Sequence, residues 1–165
     1  MTQLSSIQTK KPVKTFRFAR VSLQLVRERT FTITAPQITC PFDVANVVTK
    51  AMKKQHGLDS RESLFVIHLN TPNRVLAIEP VATGSTNTTG VVVSEIFRGA
   101  LVNGATAIIL AHNHPGGDPT PSPEDVQITR RVIEVGQMLG LEVLDHIVFT
   151  DMKHVSLKER GLAFG

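Results

Sequence analysis

At 165 residues and 18.0 kDa, with 41% hydrophobic and 19% charged residues, the chain has the composition of one globular domain with a sizeable core. Its single cysteine, Cys40, excludes an internal disulfide and any cysteine-rich zinc module. No apolar run is long enough to cross a bilayer, and the polar, basic start has no apolar signal core, so no membrane partner is expected and the expected compartment is the cytoplasm.

The net charge of +4 is unevenly placed. Residues 1–30 hold seven basic residues (Lys10, Lys11, Lys14, Arg17, Arg20, Arg27, Arg29) against Glu28, a net +6, whereas the remaining 11 basic and 13 acidic residues leave −2. Residues 1–40 are therefore expected to form a basic arm with one or two strands packing on a domain over 41–165. Such an arm attracts phosphates, although a solvated strand face and tail explain the same charges. The chain has no Trp or Tyr, so stacking on single-stranded nucleic acid would rest on Phe and Arg.

Apolar and polar residues alternate from Phe16 to Thr34, which is a strand pattern, until Pro36 and Pro41 interrupt it. Pro41 suits a first helical turn, and Val44, Val47, Val48, Ala51 and Met52 then share one face, with a stop near Gly57. Ser63–Leu69 and Val75–Val81 read as strands joined by a hairpin at Asn70-Thr71-Pro72-Asn73, followed by a loop over 83–90. Ser94 is the expected cap of a helix burying Ile96, Phe97, Ala100 and Leu101 and ending at Asn103-Gly104. Thr106–Ala111 reads as a central strand, and four prolines then stiffen the loop 114–123. Ser122 and Pro123 open a helix to about Leu139, stopped by Gly140; Leu141–Thr150 and His154–Leu157 close the chain as strands. Helices alternating with strands around a mixed sheet make the class α/β or α+β with one core.

The chemistry concentrates in Ala111-His112-Asn113-His114-Pro115. On a strand running through His114, His112 and His114 point to one side and can ligate one metal ion. Asp125 follows eleven residues later at a helix start, and a loop and helix N-terminus can return its carboxylate to the histidines. Two histidines, an aspartate and an open fourth position suit a hydrolytic zinc. The same Ser122-Pro123-Glu124-Asp125 also fits a capping box, which needs no metal; the two readings are compatible if Asp125 gives one oxygen to each.

His112-Asn113-His114-Pro115, then Ser122, then Asp125 resembles the signature of the JAB/MPN (JAMM) metalloproteases. More closely, His114 through Asp125 with the later Leu144-Asp145-His146 resembles the RadC-like JAB domain, over roughly Lys50 to Gly161. The resemblance implies the JAB/MPN (cytidine-deaminase-like) fold, a three-layer mixed β-sheet flanked by helices. It implies Zn2+ held by His112, His114 and Asp125, and an upstream glutamate that activates water. Glu62 fits that position; Glu95 has a plainer explanation in the dipole of its helix. In this reading Glu62 is the general base, and the Ser122 hydroxyl donates to the oxyanion of an amide being hydrolysed. The substrate would be a peptide or protein, and self-association would be as a homodimer.

Gly116 and Val93-Ser94-Glu95 depart from the usual family residues, the second removing an arginine that binds anions. With no glycine before Gly57, the helix-hairpin-helix segment of longer relatives is expected to be absent. The alternative function is a nucleic-acid-associated protein of DNA repair or mobile elements that uses the basic arm, and a third is a non-catalytic scaffold. One cysteine excludes a zinc deaminase, and the tripeptide His112-Asn113-His114 shares only letters with HNH nucleases. His146 reads as the partner of a neighbouring carboxylate, with a contact behind the metal ligands or to the substrate as the alternative. His56, His68 and His154 have no constellation around them, Asp118 reads as solvent-exposed, and Cys40 reads as a small packing residue.

Overall fold

The computed structural model describes residues 37–55, 61–84 and 91–165. The alternating segment and basic charges before residue 37, the stop at Gly57, His56 and the loop positions 85–90 lie outside the described residues, as does the Met52 side chain.

The first helix, α1 (Pro41–Gln55), starts where Asp43 gathers the free donors ahead of it. One carboxylate oxygen accepts from the Thr39 amide (2.9 Å), the Thr39 hydroxyl (2.7 Å) and the Cys40 amide (3.2 Å). The Thr39 hydrogen bonds hold this carboxyl below its ordinary range. Cys40 is exposed at the bend into α1 and does not pack, because the helix begins only after it.

Strands β1 (Ser63–Asn70) and β2 (Arg74–Thr83) form the expected hairpin, closed by Asn73 in the left-handed region at φ 62° and by the Asn70 side chain accepting from the Arg74 amide. Helix α2 (Val93–Val102) ends at Asn103-Gly104 as expected, with Asn103 as its C-cap, but departs from expectation at its start and in its buried face. Val92 precedes it with no side-chain cap, so Ser94 lies inside the first turn, exposed. Leu101 is 51% exposed, because only Ile96, Phe97 and Ala100 face the sheet and the next position turns about 100° away.

After β3 (Ala107–Asn113), helix α3 (Pro123–Leu139) has the expected bounds. The Ser122–Asp125 capping box opens it, and Gly140 at φ 67° closes it in a Schellman motif, with Leu141 donating to Gly136 (2.9 Å). Strands β4 (Glu142–Phe149) and β5 (His154–Ser156) complete a sheet of order β2-β1-β3-β4-β5. Only the β3/β4 pair is parallel, and α3 makes its crossover.

Alternation along the strands divides the core into two. Phe65, Ile67, Leu69, Ile109, Ala111, Ile147 and Phe149 pack with Val44, Val47 and Val48 of α1. Leu64, Val66, Ile108 and Leu110 pack with Ile96, Phe97, Ala100, Ile128 and Val132 of α2 and α3. The architecture is thus three layers, a mixed sheet between α1 and the α2/α3 pair. Among the described residues no helix is long and apolar enough to cross a membrane.

Helix α3 can approach β4 this closely because residue 136 is glycine. A Cβ there would stand 2.6 Å from the Leu141 carbonyl oxygen and 2.9 Å from Val143 Cγ2. Helix propensity favours Ala over Gly by about 1 kcal/mol, but the nearest clash is with backbone and overpacking costs about 1–3 kcal/mol. Gly136→Ala is therefore expected to destabilise the chain, read as a lower urea midpoint with an unchanged m-value.

Candidate metal centre

The antiparallel register of β1 and β3 brings the candidate residues together. Ser63 pairs with Asn113 and Leu64 with His112, so Glu62, one residue ahead of β1, comes beside the end of β3. His112 continues the Ile108–Leu110 side of β3, the side covered by α2 and α3, and meets the first turn of α3 there. β3 ends at Asn113, one residue earlier than a strand through His114 requires. The His114 amide nevertheless donates to Phe149 of β4 (2.8 Å), and the two imidazoles meet edge to face with centroids 4.8 Å apart.

Nitrogen and oxygen atoms of Glu62, His112 and His114 lie within 4.8 Å of one another, a spacing that suits one metal ion. Glu62 Oε2 is 3.9 Å from His112 Nε2. Asp125 sits on the other side, its Oδ1 3.1 Å from His112 Nδ1 and its Oδ2 3.7 Å from His114 Nε2. Glu95 pairs instead with Arg98, three residues along α2, and is not part of this group.

The two oxygens of Asp125 have different tasks. Oδ2 accepts from the Ser122 amide (2.8 Å) and the Ser122 hydroxyl (2.7 Å), while Oδ1 is buried with no hydrogen-bond partner, as is His112 Nδ1 facing it. Burial pushes this carboxyl up, but the contacts from His112 and Ser122 outweigh it and hold Asp125 well below the carboxylate range, ionised. Ser122 spends its hydroxyl proton on Asp125, so it can donate to another oxygen only by releasing that contact. His114 Nδ1 donates to the Asp118 carbonyl (2.8 Å), which fixes the tautomer and leaves Nε2 as a free lone pair. Asp118 is exposed, as expected, and contributes through its backbone.

Behind His112 lies a layer that the sequence offered only as the alternative reading of His146, with Thr129 unassigned. His146 is completely buried, stacked on His112 with centroids 6.4 Å apart and a 30° interplanar angle. Its Nδ1 meets the Thr129 hydroxyl (2.6 Å), which itself donates to the Asp125 carbonyl. His146 is therefore the partner of a threonine, not of Asp145. Asp145 accepts from the His146 amide, the Ser156 hydroxyl and the Lys158 amide, tying β5 and the segment after it to β4. Burial first, then the charge of His112, pushes the His146 imidazole down to about 3. Asn113 was also missed: its buried amide accepts from the Ser63 amide (2.7 Å) and donates to the Arg61 carbonyl (3.1 Å). The signal was its place between two candidate ligands in a strand.

His68, expected to be isolated, lies in a second polar cluster toward the opposite end of β1. Its Nε2 is 3.2 Å from Glu79 Oε2, and Asn103 reaches its Nδ1 (3.4 Å). Burial pushes His68 down to about 4 and Glu79 up.

The RadC-like JAB domain family model matches residues 38–162. Among similar proteins, the UPF0758 protein of Caldanaerobacter subterraneus is 45% identical over 124 residues, covering 75% of this chain and 52% of the relative. That of Desulfitobacterium hafniense is 47% identical over 127 residues, covering 77% and 54%. That of Moorella thermoacetica is 45% identical over 144 residues, covering 87% and 61%. The chain thus spans a little more than half the length of these curated relatives.

His68 gives the stability a pH dependence whose sign follows from its burial. The unfolded chain takes up a proton there from about pH 6.5 downward, the folded chain only near 4. Stability from this group is therefore lost as pH falls through that window, by up to about 1.4 kcal/mol per unit; the raised Glu79 works in the opposite direction. His68→Gln removes the histidine contribution, so its urea midpoint should drop less between pH 7 and pH 5 than that of the unsubstituted chain.

Proposed function

Because the chain belongs to the RadC-like JAB domain family, we propose that it is a zinc-dependent hydrolase of the JAMM type, acting on a peptide or isopeptide amide bond. The observation that carries the reading is the unmatched pair at the centre of the site. Asp125 Oδ1 and His112 Nδ1 are buried 3.1 Å apart without a hydrogen bond, beside His114 Nε2 with its lone pair free. An ionised carboxylate oxygen left bare in the interior costs several kcal/mol, roughly, unless a cation or donor meets it. Two imidazoles and one carboxylate are the donor set zinc takes. His112, His114 and Asp125 would hold the ion, and Glu62 stands beside the histidines to act on water.

When bound, zinc supplies Lewis acidity and lets water act as a nucleophile near neutral pH. The remaining work falls to side chains. Glu62, partly exposed like His114 and beside the buried His112, takes a proton from the attacking water at Oε2 and returns it to the departing amine. Ser122 turns its hydroxyl from Asp125 Oδ2 to the developing oxyanion, an exchange favoured once Asp125 has a cation to satisfy it. Thr129 and His146 hold the Asp125 backbone and the His112 ring from behind. The segregated charge of residues 1–30 favours a second reading, nucleic acid held by the arm, whose affinity would fall steeply with salt.

Elemental analysis of protein purified without chelator tests the first reading. Close to one zinc per wild-type chain is expected, with little in His114→Ala, and no metal in either after zinc is added would overturn the proposal. At saturating zinc, Glu62→Gln is expected to slow hydrolysis of a peptide and isopeptide panel by about 10²–10⁴-fold, with the ion retained.

A further inference from the structure

Asn113 stands between the two histidines, yet its side chain serves neither of them. The β1/β3 ladder ends at the Ser63–Asn113 pair, and upstream of it the chain continues through Glu62 and Arg61 without a strand partner on β3. The Asn113 amide extends the ladder across this gap. Its Oδ1 accepts from the Ser63 amide at 2.7 Å, and its Nδ2 donates to the Arg61 carbonyl at 3.1 Å, so the two bonds bracket Glu62. From the other side, the Gly84 amide donates to the Glu62 carbonyl at 2.9 Å. A residue outside any strand is thereby held with ladder-like definition, and its carboxylate reaches the histidines.

We infer that Asn113 is the positioning residue of Glu62: its buried amide fixes the backbone on both sides of Glu62 and so sets where the carboxylate meets the metal group. This rests on the reading that zinc sits at His112 and His114. The geometry distinguishes the role from filling the core. Asn113 is only 4% exposed, and both sides of its amide are spent on the segment carrying Glu62, none on the helices above or below. A buried amide satisfied at both ends specifies one geometry, whereas an apolar residue of similar size would offer neither an acceptor to the Ser63 amide nor a donor to the Arg61 carbonyl. The requirement is chemical as well as steric. Aspartate would keep the acceptor for Ser63 but face the Arg61 carbonyl with a second acceptor.

The test is a double-mutant cycle on the hydrolysis rate of the zinc-loaded full chain against the peptide and isopeptide panel, with zinc content measured alongside. Asn113→Ala is expected to slow hydrolysis about tenfold or more, the size typical of groups that orient metal-site residues, while the ion is retained. In the Glu62→Gln background the same substitution is expected to change the rate less than about twofold, because the residue it orients can no longer take the proton. Equal losses in both backgrounds, or no loss in either, would overturn the inference while leaving the zinc reading intact. A wild-type chain that takes up no zinc removes the zinc reading and this inference with it. Should Asn113→Ala not fold, Asn113→Thr keeps strand propensity without an amide, and the same dependence on Glu62 is expected of it. Hydrogen exchange at the Ser63 amide gives a second readout, expected to quicken by about tenfold or more on loss of its acceptor while the Leu110 amide is unchanged; unaltered Ser63 protection would also overturn the inference.

Discussion

The register between β1 and β3 is the constraint on which the site depends. Leu64 opposite His112 and Ser63 opposite Asn113 bring Glu62 to the histidines across about fifty residues of chain. A slip of one residue would turn every side chain of β1 to the other face. His68 would then exchange its polar cluster for the α1 side, and Phe65 and Ile67 would leave it. The register is held by burial on both faces, since β1 is buried from Ser63 to Leu69 between two separate apolar clusters. The geometry of the candidate site is therefore a by-product of core packing, with the Asn113 amide carrying the ladder one step beyond the strand.

Local rules define the other half of the site. Ser122, Pro123 and Asp125 open α3 as any well-capped helix opens, and the cap turns Asp125 inward beside His112. Capping uses only Oδ2, so the residue that starts the helix also offers a buried, ionised oxygen to the histidines. Neither function displaces the other. The Asp118 carbonyl acts similarly on His114: a loop stiffened by prolines places one backbone oxygen so that the imidazole keeps its proton on Nδ1.

What the sequence reveals divides along the same line. The bounds of α3, the hairpin and the central strand were legible because caps, turns and periodicity act over a few residues, and so was the spacing of His112, His114 and Asp125. Glu62 came only through family resemblance, because no local rule ties it to a strand fifty residues away. Thr129 and Asn113 remained hidden for the same reason, and the role of His146 stayed one of two options: each gains its role from a partner that only the folded sheet supplies. Ser94, Leu101 and Cys40 departed from expectation at element ends. A shift of one or two residues there moves a side chain from cap or core to solvent, and composition does not resolve it.

The two histidine–carboxylate pairs show what separates a candidate site from an ordinary polar cluster. His68 and Glu79 lie 3.2 Å apart, about as close as His112 and Asp125 at 3.1 Å, so proximity does not distinguish them. The carboxylates do. Burial dominates at Glu79 and pushes its carboxyl toward the neutral form, and the neighbouring amide of Asn103 is directed at the ring rather than the acid. Asp125 is buried more deeply, yet the donors of Ser122 and the charge of His112 keep it ionised, and a second imidazole stands within reach. Neither pair is closed by a hydrogen bond, since His68 Nε2 and Glu79 Oε2 are buried without one just as His112 Nδ1 and Asp125 Oδ1 are. What sets Asp125 apart is that its carboxylate stays ionised with a second imidazole in reach, the kind of donor set that suits a metal ion.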